Sequence, residues 1–81
     1  MERNVAEALH SMLEDEGCEV SLREDYSGRG MYGKDTWAIS GDFGWNDVAR
    51  AWAEVCISDD DFKPSDLGFT WDAMGLGTVI Y

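Results

Sequence analysis

The chain is poor in basic residues: six lysines and arginines face seventeen aspartates and glutamates, with a single histidine. The resulting formal net charge of −11 disfavours direct binding to nucleic acid, whose phosphates are neutralised by Lys and Arg. Cysteine is scarce, so Cys18 and Cys56 allow at most one disulfide. Both lie within apolar patterns and read as reduced core thiols. His10 stands alone, which leaves too few ligands for a structural zinc site. No apolar run approaches the ~20 residues needed to span a bilayer. The acidic start lacks the basic region of a secretory signal, so a cytoplasmic location is expected. At 81 residues the chain is expected to form one domain over residues 1–81.

What the chain does have is aromatic side chains and carboxylates. Four Trp, three Tyr and three Phe supply a modest core, each burying roughly 150–250 Å². The acidity exceeds the magnitude of about 2–8 that suits a small soluble domain. Self-repulsion at such a charge opposes compaction. Acidic drift or a demand for solubility is one explanation, and attraction to a basic partner is the other.

The pattern along the chain predicts two helices and four strands. Asn4 with Glu7 reads as an N-cap and its capping-box partner. Val5, Leu9, Met12 and Leu13 follow at helical spacing, and Gly17 is placed to end that helix near residue 16. Cys18, Val20 and Leu22 alternate with polar residues as a first strand. Thr36 to Ser40 is a second strand, after the glycine-rich stretch from Tyr26 to Gly33. A second helix over about 45–57 carries Trp45, Val48, Ala49, Trp52 and Cys56 along one stripe. Pro64 blocks immediate regular structure, Ser65-Asp66-Leu67 reads as a short turn of helix, and Phe69–Asp72 and Leu76–Tyr81 read as strands. The expected fold is α+β, in α-β-β-α-β-β order. Its four-stranded antiparallel sheet would carry both helices on one face.

Candidate chemistry is soon narrowed. Gly28-Arg29-Gly30-Met31-Tyr32-Gly33-Lys34 matches the letters of a phosphate-binding loop. Asp35 replaces the magnesium-binding hydroxyl, however, and strand rather than helix follows. Asp59-Asp60-Asp61 lacks the alternating ligands and terminal Glu of a calcium loop. No nucleophile–base arrangement is visible, so no enzyme, cofactor or metal is expected. The same glycine-rich loop presents Tyr26, Arg29, Met31 and Tyr32, and Tyr and Arg are common interface anchors.

The placement of the acids is more informative. Glu14, Asp15 and Glu16 fall in the last turn of the first helix, and Asp59, Asp60 and Asp61 follow the second. Anions there oppose the helix macrodipole by roughly 0.3–1 kcal/mol each when exposed. Helices running in opposite senses would place the clusters at opposite ends, with Glu24 and Asp25 extending the second. The dull alternative is that Asp59 to Asp61 cap a following turn. Acids one helical turn apart are ~6 Å apart, close to the spacing of phosphates along a strand. The candidate contact residues are therefore Glu14, Asp15, Glu16, Glu24, Asp25, Tyr26, Arg29, Tyr32, Asp59, Asp60 and Asp61.

The stretch Asp25-Tyr26-Ser27-Gly28-Arg29-Gly30-Met31-Tyr32-Gly33-Lys34 resembles a segment of small phage and bacterial proteins of unassigned function. A short, acidic, aromatic-rich chain without enzyme motifs is similar to the inhibitors of phages and mobile elements, anti-CRISPR proteins among them. That resemblance implies a bacterial host cell. The partner it implies is a basic nucleic-acid-binding protein, a CRISPR effector subunit, inhibited by acidic DNA mimicry. It carries over no residues, because anti-CRISPR families share no common fold or motif. Arg23, Arg29 and Lys34 depart from a pure mimic. The alternative is an adaptor or protein-interaction domain that binds through the glycine-rich aromatic loop.

Overall fold

The computed structural model describes residues 1–25, 36–67, 71–74 and 77–81. In chain order these form α1 (Arg3–Asp15), β1 (Glu19–Asp25), β2 (Thr36–Asp42) and α2 (Trp45–Ser58). A single 3₁₀ turn (Pro64–Asp66), β3 (Trp71–Met74) and β4 (Gly77–Ile80) follow. Backbone pairing runs β1-β2-β4-β3 and is antiparallel throughout.

The expected α-β-β-α-β-β order with a regular four-stranded sheet needs correction. The body of the molecule is α-β-β-α, and three antiparallel strands, β1, β2 and β4, carry the described side chains of its sheet. The last part of the chain does not repeat the first. Pro64 and the Asp66 carboxylate, which accepts from the Lys63 amide at 2.9 Å, fold it into a 3₁₀ turn. The strands after it are four residues each, and among the described residues β4 pairs with β2 over Ile39 to Gly41. Met1 takes the next place along β2. Its amino group donates to the Trp37 carbonyl at 3.1 Å, and the Trp37 amide donates to the Met1 carbonyl at 2.9 Å.

That pairing also explains why α1 starts earlier than the Asn4 cap predicts. With Met1 fixed on β2, the helix begins at Arg3, and neither Asn4 nor the N-cap Glu2 caps it with a side chain. The helix end follows expectation. Gly17 adopts φ +92°, its amide donates to Glu14 O, and the Cys18 amide donates to Leu13 O. This paired closure turns the chain straight into β1.

One core joins the helices to the sheet. Val5, Ala6, Leu9 and Leu13 of α1 meet Val48, Ala51, Trp52 and Val55 of α2 over Ile39 and Ile80. Each fully buried Val, Leu or Ile among them contributes about 1.5–3 kcal/mol. Trp52 packs edge-on against Phe62 at 5.5 Å between ring centroids. No acceptor among the described residues reaches its indole N–H. On the opposite face of the sheet Ala38, Val79 and Tyr81 form a second buried group. The Thr78 hydroxyl donates to the Phe43 carbonyl at 3.1 Å, fastening the end of β2 to β4.

The buried stripe of α2 is also rotated from the expected one. Ala49 and Trp45 lie outside it, while Ala51 and Val55 lie inside. Helical periodicity could not separate these, because α2 is apolar around most of its circumference.

Candidate functional site

The paired closure of α1 sets Glu14, Asp15 and Glu16 directly beside the start of β1 and the end of β2. Glu14 and Asp15 are exposed, and Glu14 Oε1 lies 3.1 Å from His10 Nδ1. Glu16 differs from both. Its side chain is only 16% exposed, and its Oε1 accepts from Arg50 Nε at 3.0 Å. Arg50 Nη2 donates in turn to Asp47 Oδ1 at 2.8 Å. The other oxygen of Asp47 accepts from the Gly44 amide, also at 2.8 Å, and closes the first turn of α2. Arg50 thus clamps the end of α1 to the start of α2. The hydrogen bond that Arg50 donates to Glu16 holds the guanidinium charge still more firmly. Glu16 and Asp47 are structural acids.

The exposed acids around this clamp do no such work. Glu19 and Asp42 are direct partners across β1 and β2, and both are exposed. Like charges placed opposite each other across two strands destabilise a sheet. The Cys18 thiol lies among these groups. Burial raises its pKa above the ordinary 9.0, Asp47, Glu16 and Asp42 push it the same way, and Arg50 opposes them. Glu14, Asp15, Glu16, Glu19, Asp42 and Asp47 therefore converge on one end of the molecule, with Arg50 already committed among them.

Sequence reasoning found the three α1 acids but not Glu19, Asp42 or Asp47. Alternation placed Glu19 on the solvent side of a strand. Its partner was hidden because the β1–β2 register cannot be read across the intervening residues. Asp47, three residues after the Gly44 cap, carried a recognisable signal.

The other candidates lie elsewhere. Asp59, Asp60 and Asp61 are exposed beyond the far end of α2, about 18 Å along the helix from Asp47. Asp59 Oδ1 accepts from the Asp61 amide at 3.0 Å, so Asp59 does cap the turn that follows. Glu24 is exposed and faces Trp37 across the strands. Asp25 closes β1. Tyr26, Arg29 and Tyr32 lie outside the described residues. The acids are thus divided between two ends of α2.

Among the described residues no group of three or more His, Cys, Asp or Glu is arranged to hold a metal ion. No described helix is long and apolar enough to cross a membrane. Cys18 and Cys56 are free and half-buried. Burial raises the Cys56 thiol as well, with Asp66 adding to the effect. Both thiols should therefore react slowly with an aromatic disulfide at pH 8 and quickly once the chain is unfolded, as stopped-flow absorbance would show. Raised thiol pKa values in the folded state imply stability that is intact below about pH 9 and declines above it, as unfolded-state thiols ionise first.

Comparison with protein-family profiles, curated proteins and solved structures found no match to this chain.

Proposed function

We propose that the protein is an inhibitor that occupies the DNA-recognition surface of a basic nucleic-acid-binding protein, a CRISPR effector complex in particular. The observation that carries this reading is the opposed pair Glu19 and Asp42 beside Asp15 at the end of α1. Negative charge is concentrated there against the preference of both the sheet and the helix dipole. Neither helix has a basic residue in its last turn.

Side chains opposite one another in a sheet and one turn apart on a helix are about 5–6 Å apart. Rows of Lys and Arg shaped for DNA meet charge at comparable intervals. Encounter driven by such fields is fast and weakens steeply as salt rises.

The test measures whether the protein prevents purified CRISPR effector complexes from binding their target DNA. Inhibition should compete with DNA, and the association rate should fall at least about tenfold between low salt and 0.5 M salt. Inhibition that leaves DNA binding intact, or association indifferent to salt, would refute mimicry.

A further inference from the structure

We infer that the exposed side of α2 is a docking ridge for an apolar, lysine- or arginine-flanked helix of the protein's partner. Trp45, Ala49, Ala53 and Ile57 follow one another at four-residue steps, which aligns them in a single row along the helix. All four are exposed, Trp45 by 59% and Ile57 by 77%. The core is already supplied by Val48, Ala51, Trp52 and Val55 on the adjoining side. Counted at ~100° per residue, the apolar residues of α2 spread over about 240°, with Asn46 the one polar side chain among them, against about 100° for the core. Two alanine methyls between a large residue at each end make a shallow saddle about 18 Å long, suited to a crossing helix.

Charge chooses the occupant. Glu54 is exposed beside Ala53, and Asp59, Asp60 and Asp61 lie past Ile57. At the other end the exposed Asp42 lies three residues before Trp45 in the chain, so the ridge begins at the acidic end already described. The single cation of α2, Arg50, is held by Glu16 and Asp47. An apolar row rimmed by carboxylates fits a partner whose apolar row is rimmed by ammonium or guanidinium groups. A second copy of this chain would bring the same acids and the same net charge of −11 to the contact. The inference rests on the reading of the partner as basic, and adds the apolar anchor that acids alone do not supply.

The test titrates the isotope-labelled protein with a synthetic Leu/Lys amphipathic helix of about 18 residues, long enough to be helical. A control peptide has every Leu replaced by Ser at equal charge. Saturable binding of the Leu/Lys peptide, with amide shifts centred on residues 45–57, is expected. Ala49→Glu and Ala53→Glu should each weaken it about tenfold or more while leaving the circular dichroism unchanged. Contact by charge alone predicts the reverse, since the added carboxylates would tighten binding. Equal affinity for the Ser peptide, or undiminished binding by Ala53→Glu, would overturn the inference. So would self-association on sedimentation that Ala53→Glu abolishes. The two readings fail separately. Asp15→Lys, on α1 and away from the ridge, should spare peptide binding while losing DNA competition, whereas loss of ridge binding alone leaves DNA competition at the acidic end to be judged by itself.

Discussion

Alanine at Gly41 should destabilise the fold by about 3 kcal/mol or more, whereas alanine at Gly44 should cost about 1 kcal/mol or less. The substitution is the same and the positions are three residues apart. Gly41 sits in β2, paired with Val20 of β1 on one side and Thr78 of β4 on the other. A Cβ there would drive into the Glu19 carbonyl oxygen and come within 2.9 Å of the Val20 Cα. Both obstacles are backbone, so relief requires β1 to move away. That movement would disturb the register that sets Glu19 against Asp42. At Gly44 the nearest atom to a new Cβ is Asp47 Oδ2 at 3.8 Å, an ordinary contact. For a domain of this size each kcal/mol shifts Tm by about 4–8 °C. Gly41→Ala should therefore melt at least about 12 °C lower than the parent, and Gly44→Ala within a few degrees of it. Equal melting temperatures for the two variants would mean that β1 and β2 do not approach as closely as their register requires.

Local patterns made part of this fold legible. The spacing of Val5, Leu9 and Leu13 and the stop at Gly17 specified α1, because helix periodicity and a left-handed closure are written in nearby residues. The order after α2 was misjudged for the opposite reason. The short turn expected at Ser65-Asp66-Leu67 is present, closed by Asp66 on the Lys63 amide three residues earlier, but the pairing of β4 with β2 and the place of Met1 beside Trp37 are long-range. Those are contacts made by folding, and no run of residues announces them. The rotation of α2 had a different cause. Val48, Ala49, Trp52, Ala53 and Ile57 are all apolar, so the pattern allowed several buried faces and packing against α1 selected one.

The candidate site divides in the same way. Its α1 acids were visible as a run at a helix end, and the run suggested that they acted together. Folding separates them. Glu16 is drawn inward to Arg50, while Glu14 and Asp15 stay in solvent. Folding also gathers Glu19 and Asp42, which are far apart in the chain, by strand pairing. A count of acids therefore overstates what a partner can use: Asp47 and Asp66 are committed to capping amides, as Glu16 is to its arginine. The charge left for a partner lies on the side chains that the fold itself does not need.

From that division follows the second large effect: replacing Asp15 and Asp42 by lysine should make the protein more stable and much less inhibitory. Asp15 opposes the macrodipole at the end of α1, and Asp42 opposes Glu19 across the strands. Reversing both turns two small repulsions into attractions, together worth about 1 kcal/mol at low ionic strength. Tm should rise by about 4–8 °C. The gain should largely vanish in 1 M salt, where charges are screened beyond about 3 Å. The same two changes place cations in the middle of the surface proposed to meet Lys and Arg, and binding should fall well over tenfold. Glu16→Gln is the contrasting variant. It removes the carboxylate charge from the Arg50 clamp, so it should lower stability, and because Glu16 is turned inward it should leave inhibition nearly unchanged. Melting curves at two salt concentrations, set beside DNA competition for the same proteins, separate the two classes of acid. If the lysine variants are more stable and inhibit as well as the parent, the acidic end is not the contact surface. If they are less stable, Asp15 and Asp42 serve the fold, and no surplus of charge was being held for a partner.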